Sequence, residues 1–125
     1  MPAPNHFPFP ALAAQAGRAP LGGTREVALA CLMAAQLATN ARCAAAELSR
    51  RAHANRTRSA RSWFASLAIP PAVRTACMRV TDATVAADAL EMSAALAALV
   101  GAAKRHLDGA GVDELNRTIA SLRAG

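Results

Sequence analysis

The sequence predicts an all-α fold: a helical bundle of four to five helices with a helix-turn-helix-like core and a long C-terminal helix. Alanine, the best helix former, supplies 35 of the 125 residues. The chain has no Tyr and only 3% aromatic residues, and no two segments alternate as paired strands do. An alanine-lined core removes little apolar area per residue, so we expect close helix packing or a homodimer to stabilise the fold.

Residues 1–23 form a predicted flexible, Pro/Gly-rich extension. They hold five of the seven prolines and three of the glycines, which favours an extended chain with at most a short turn around residues 11–16. No basic stretch precedes an apolar run, so the segment does not resemble a signal peptide. Residues 24–125 are the predicted helical domain.

The first predicted helix begins at Thr24, whose hydroxyl can cap it, with Glu26 in the first turn, where a carboxylate favours the helix dipole. It is expected to end near residues 39–40. Its apolar stripe consists of Val27, Leu29, Leu32, Met33 and Leu37.

Two shorter helices are predicted next, over residues 44–52 and 57–67, joined by a turn at residues 53–55. Pro70 and Pro71 stop the second of them, and Pro71 suits the first position of a further helix.

The long C-terminal helix is predicted from residue 72 to residue 106, with a break near residues 81–84. Gly109 and Gly111 are expected to end it. Apolar residues then recur at helical spacing in a last short helix: Val112, Leu115, Ile119 and Leu122.

Positive charge is segregated along the chain. The formal net charge is +6, yet the stretch between Glu47 and Asp82 carries seven arginines and no carboxylate, so the other residues, with seven basic and eight acidic side chains, sum to −1. The seven are Arg50, Arg51, Arg56, Arg58, Arg61, Arg74 and Arg79. Charge concentrated in this way indicates a polyanion partner such as nucleic acid.

Two short helices joined by a tight turn, the second of them basic, are typical of a helix-turn-helix, here at residues 44–67. Arginine suits DNA because its fork binds a guanine edge or a phosphate. The predicted nucleic-acid-binding residues are Arg50, Arg51, Arg56, Thr57, Arg58 and Arg61. An arginine-rich solvated bend between two helices of a bundle explains the pattern equally well.

Four short pieces of sequence resemble the winged helix-turn-helix repressors that include the iron–sulfur-cluster and nitrite-sensitive regulators. They are Thr24-Arg25 with Val27 to Met33, Ala46-Glu47-Leu48-Ser49, Leu67-Ala68-Ile69-Pro70-Pro71, and His106-Leu107-Asp108 with Val112 to Leu115. The resemblance implies a DNA-reading role for Arg56, Thr57, Arg58 and Arg61, and dimerisation through the long helix after Pro71. The family's glycine-rich wing and its three grouped cysteines are missing, so no iron–sulfur cluster is implied. TetR-type regulators resemble residues 46–66 about as well.

The three cysteines, Cys31, Cys43 and Cys77, form no CxxC pair, which indicates free thiols in a reducing cytoplasm. Cys43 and Cys77 are redox-sensitive candidates if arginines lower a thiol pKa, but small buried core positions are the preferred interpretation.

No catalytic, metal-binding or cofactor motif stands out. The two long apolar stretches, residues 27–46 and 85–103, carry polar or charged residues that disfavour a membrane span. The three histidines, His6, His53 and His106, are far apart and are predicted to lie at the surface. The sequence therefore predicts a cytoplasmic, homodimeric, non-enzymatic DNA-binding protein of transcriptional control. The alternative is a small helical oligomerisation or protein-interaction module with a solvated arginine patch.

Overall fold

The computed structural model describes residues 9–18, 23–43 and 47–124, and these residues form six helices and no strand. The all-α class is confirmed, with six helices instead of four to five. The helices are α1 (Pro10–Arg18), α2 (Gly23–Cys43), α3 (Glu47–Ser66), α4 (Pro71–Ala86), α5 (Ala89–Ala103) and α6 (Gly109–Ala124). None of the described helices combines the length and apolar character needed to cross a lipid bilayer.

Helix α2 is the centre of the bundle and contacts each of the other five helices. Its small side chains are what allow so many neighbours, because alanines let helix axes approach closely. Its buried residues are Val27, Ala28, Ala30, Cys31, Ala34, Ala35, Leu37 and Ala38. Close packing therefore compensates for the scarcity of large apolar residues.

Helix α1 occupies part of the segment that the sequence predicts to be a flexible extension. Its Leu12 is fully buried, and the backbone N–H groups of Ala11 and Leu12 donate to the two carboxylate oxygens of Glu114 on α6, at 2.7 and 2.8 Å. A carboxylate at this end satisfies donors that the first helical turn leaves unpaired. For residues 9–18 the prediction of a flexible extension is wrong, Gly23 begins α2, and residues 1–8 and 19–22 lie outside the described residues.

Two further side chains hold α1 in place. Gln15 donates from Nε2 to the carbonyl oxygen of His106 at 2.8 Å and accepts at Oε1 from the N–H of Asp108 at 3.0 Å. Arg25 on α2 donates from Nε to the carbonyl oxygen of Ala16 at 2.9 Å. The partners of Gln15 lie more than 90 residues away in sequence, so a local sequence pattern does not predict these contacts.

Helix α3 replaces the two short helices that the sequence predicts. One continuous helix runs through residues 53–55, where a turn was expected. The reason is that Glu47–Ser66 contains no Gly and no Pro, so nothing in its composition stops a helix there. The predicted turn is wrong, and residues 47–66 do not form the helix-turn-helix-like unit assigned to 44–67.

The predicted long helix after Pro71 is two helices, and the break lies slightly later than expected. Ala87 adopts a left-handed conformation with φ 56° and ψ 39°, which ends α4. Asp88 then caps α5 by accepting a hydrogen bond from the N–H of Glu91 at 3.0 Å. The two helices pack closely against each other.

Helix α6 contains the two glycines that were expected to end a helix. Asp108 precedes it and accepts a hydrogen bond from the N–H of Gly111 at 2.8 Å. A Cβ at Gly111 would lie only 3.2 Å from a methyl carbon of Leu12. Gly111 therefore allows α1 to approach α6 closely.

Candidate nucleic-acid interface and adjoining groove on helix α3

Helix α3 is a peripheral helix, because within the described part of the chain it contacts only α2 and α4. Its described inward face consists of Thr57, Ala60 and Phe64, at 1%, 5% and 0% exposure. These positions are three and four residues apart, as one helix face requires. Trp63 and Leu67 flank this face and are half-buried.

Thr57 is a correction to the predicted binding residues. Its side chain was expected to face DNA but is buried against the bundle. The cause is the continuity of α3: once no turn intervenes, the burial of Phe64 fixes the rotation of the whole helix, and Thr57, seven residues earlier, falls on the same side.

The arginines of α3 occupy different sides of the helix. At about 100° per residue, positions 51, 58 and 61 fall within an arc of about 100°, and position 56 lies at least about 120° outside it. We call Arg51, Arg58 and Arg61 the arginine stripe, whereas position 50 lies seven residues before Thr57 and so falls on the side of the inward face. Residues 50 and 51 belong to α3, and their side chains lie outside the described part of the chain.

Within the stripe, Arg58 and Arg61 differ in what they contact. Arg61 forms an ion pair with Asp82 on α4, in which both side chains are more than half exposed. Arg58 is exposed and donates from Nη2 to Oδ1 of Asn55 at 3.0 Å, a neutral partner. The charge of Arg58 is therefore available to an external anion, whereas that of Arg61 is shared with Asp82.

The two arginines beyond the proline stop are used within the fold. Arg79 pairs with Glu91 on α5, with Nη2 2.7 Å from Oε1. Arg74 donates from Nη2 to the carbonyl oxygen of Leu67 at 2.7 Å, which ties α4 to the end of α3. Both guanidinium groups thus have partners within the fold, and only that of Arg79 is paired with a carboxylate.

Arg56 faces a groove between α2 and α3 with a volume of about 500 Å³. Among the described residues that line this groove it is the only charged one, and none of the described carboxylates pairs with it. We call this feature the α2–α3 groove. Its lining residues are Met33, Gln36, Leu37, Asn40, Asn55, Arg56, Ser59, Ala60 and Trp63.

Gln36 and Asn40 belong to this groove and were not among the predicted site residues. A signal for them is present in the sequence: they are a polar pair four residues apart on a helix whose other face is apolar, next to Met33 and Leu37. Trp63, the only tryptophan of the chain, lies between the groove and Phe64, with the two ring centroids 5.4 Å apart. Trp63 is half-buried, because one side of its ring packs toward Phe64 and another borders the groove.

Cys31 and Cys77 are both buried free thiols. Burial raises the pKa of Cys77 to about 12, and burial together with the nearby Cys77 raises the pKa of Cys31 well above its usual range. Both therefore stay protonated and unreactive in the folded chain, in agreement with the interpretation as core residues. The side chain of Cys43 lies outside the described residues.

Among the residues that the structure describes, no three His, Cys, Asp or Glu side chains come together as metal ligands. His106 is half-buried near α1, and His6 and the side chain of His53 are not in the described part.

Comparisons of the chain with family models, with curated proteins and with solved structures each found no match. The resemblance to winged helix-turn-helix repressors accordingly stays a prediction.

Proposed function

We propose that this chain binds nucleic acid through the arginine stripe of α3. The observation that carries the proposal is that Arg58 is exposed and forms no ion pair with a carboxylate of the described residues, on a 20-residue helix that holds five arginines and one carboxylate. An arginine in this setting grips phosphate oxygens and displaces condensed counterions, which makes affinity depend steeply on salt.

The mode of binding differs from the one that the sequence suggested. Arg56 lies on another side of α3 and Thr57 is buried, so these two do not join Arg58 and Arg61 on one reading surface. The stripe instead suits phosphate contacts, which position a protein on nucleic acid without reading its sequence. The predicted role in transcriptional control stays a prediction, and a helix-turn-helix is not part of the proposal.

Titration of a labelled DNA duplex at several salt concentrations tests the proposal. Arg58→Ala is expected to weaken binding and to lower the slope of log K against log salt by about 0.9, the loss of one phosphate contact. Arg105→Ala is the matched control, because it removes the same charge from an exposed position between α5 and α6, two helices that α3 does not contact.

Two outcomes would contradict the proposal. One is the absence of binding at low salt. The other is an equal loss in Arg58→Ala and Arg105→Ala, which would mean that total charge matters and the stripe does not.

Self-association is a second candidate function, favoured by two exposed apolar side chains at the α4–α5 corner. Val85 and Leu90 are 64% and 78% exposed. Burial of such side chains against a second copy would add apolar contact area. Sedimentation of the chain and of Leu90→Glu tests this candidate: a dimer that becomes a monomer on substitution supports it, and a monomer at all concentrations rejects it.

A further inference from the structure

The α2–α3 groove combines an apolar floor, a polar rim and one unpaired cation. The floor consists of Met33, Leu37 and Ala60, with Trp63 at one side. Its volume of about 500 Å³ falls in the range of pockets that hold small molecules, roughly 300 to 1,000 Å³. An apolar body of that size would bury its surface against these side chains.

The charge of the groove selects the sign of its occupant. Arg56 is exposed and is the only charged residue in the described part of the lining. A guanidinium without a carboxylate partner binds a carboxylate ligand through two parallel hydrogen bonds, which gives both affinity and orientation. A cationic ligand would meet repulsion instead, and a neutral one would leave Arg56 without its strongest partner.

The rim supplies further hydrogen-bonding groups. The side-chain amides of Gln36, Asn40 and Asn55 and the hydroxyl of Ser59 surround the opening. Amides and hydroxyls at the edge of an apolar pocket orient the polar end of a ligand while its apolar part lies on the floor.

From these observations we infer that the α2–α3 groove binds a small amphipathic carboxylate. Its carboxylate pairs with Arg56, and its apolar body packs on Met33, Leu37 and the ring of Trp63. This site is separate from the proposed nucleic-acid surface, because Arg56 lies outside the arginine stripe.

Decanoate is a suitable probe, and Trp63 is a built-in reporter. The chain has one Trp and no Tyr, so fluorescence excited at the indole band comes from Trp63 alone. Titration with decanoate below its micelle concentration is expected to change this emission in a saturable way. A decanoate that carries bromine at its apolar end is expected to quench it, since bromine quenches only on contact. Decanol, with the same chain and no charge, is expected to bind about tenfold more weakly.

Two variants of α3 distinguish binding of decanoate in the groove from a general attraction by positive charge. Arg56→Gln is expected to raise the Kd for decanoate about tenfold. Arg58→Gln removes the same charge outside the groove lining and is expected to leave that Kd unchanged. The two positions exchange roles in DNA binding, where Arg58 matters and Arg56 does not. Failure of one proposal is therefore visible independently of the other.

Three results would overturn the inference. The first is unaltered Trp63 emission with no heat of binding for decanoate. The second is equal binding of decanol and decanoate, which would mean that the groove is only an apolar cleft. The third is the same Kd in Arg56→Gln and Arg58→Gln, with both variants shown to be folded by circular dichroism.

Discussion

Helices α1 and α3 both pack against α2, yet they use their polar groups in opposite ways. The polar contacts of α1 point into the protein: its first N–H groups meet Glu114, and its Gln15 bonds to backbone groups beside His106 and Asp108. The described polar side chains of α3 point largely outward, and Arg58 meets only the neutral Asn55. The polar groups of α1 therefore stabilise the fold, whereas α3 keeps cationic groups available for a ligand.

The largest expected effect on this comparison comes from truncation inside α1. Leu12→Ala should lower the free energy of unfolding by about 2–5 kcal/mol, because Leu12 is fully buried and its removal leaves a cavity. Urea unfolding followed by circular dichroism measures this change. The exposed Arg58→Ala in α3 should stay within about 0.5 kcal/mol of the unsubstituted chain. Equal stability of the two variants would mean that α1 is not docked.

A matched pair of Glu→Gln substitutions compares a buried carboxylate with a surface one. Glu114→Gln should cost about 1–3 kcal/mol, since Ala11 and Leu12 donate to different carboxylate oxygens and the amide replaces one of these acceptors by a donor NH2 group. Glu91→Gln should cost at most about 1 kcal/mol, because its pair with Arg79 is 42% exposed on both sides. The same unfolding experiment ranks them, and the reverse order would contradict the role given to Glu114.

Removal of the carboxylate that pairs with Arg61 should increase the number of available cations on α3. Asp82→Asn leaves Arg61 without its ion-pair partner, so the stripe gains one available cation. Duplex DNA should then bind more tightly, and the slope of log K against log salt should steepen by up to about 0.9. Asp113→Asn makes the same charge change at an exposed position of α6. If Asp113→Asn strengthens binding equally, the pairing of Arg61 has no special part in it.

The smallest expected effect concerns the two buried thiols, Cys31 and Cys77, which the fold should protect from chemical modification. In a Cys43→Ser chain, Cys31 and Cys77 should react with a thiol reagent only as fast as the protein opens, because both are buried and protonated. Labelling should become rapid in denaturant. Fast labelling of the native chain would contradict the core assignment.

The sequence was informative where the chain's own composition decides local structure. Abundant alanine and the lack of paired strands predicted an all-α fold, and Pro70 and Pro71 correctly marked the boundary before α4. The absence of Gly and Pro from Glu47–Ser66 is typical of one helix, but the helix-turn-helix interpretation required a turn at residues 53–55. Had the helix been read as continuous, the phase of Phe64 would have placed Thr57 inward.

Other features depend on contacts that no local pattern records. Helix α1 is short and proline-flanked, and it is fixed by Glu114 and His106 near the other end of the chain. The groove arises only when Gln36 and Asn40 of α2 come next to Arg56 of α3. The pairing of Arg61 with Asp82 likewise requires α4 to lie against α3, so charge counted along the sequence overstated the number of available cations.

Mapping of backbone amide chemical shifts by NMR during a titration with a short DNA duplex tests the central claim most directly. If α3 binds nucleic acid, we expect the largest shifts in α3 around Asn55, Arg58 and Arg61, and no change at the amides of α1 from Ala11 to Ala16. Shifts spread evenly over the exposed basic residues, including Lys104 and Arg105, or concentrated in α1 and α6, would contradict it.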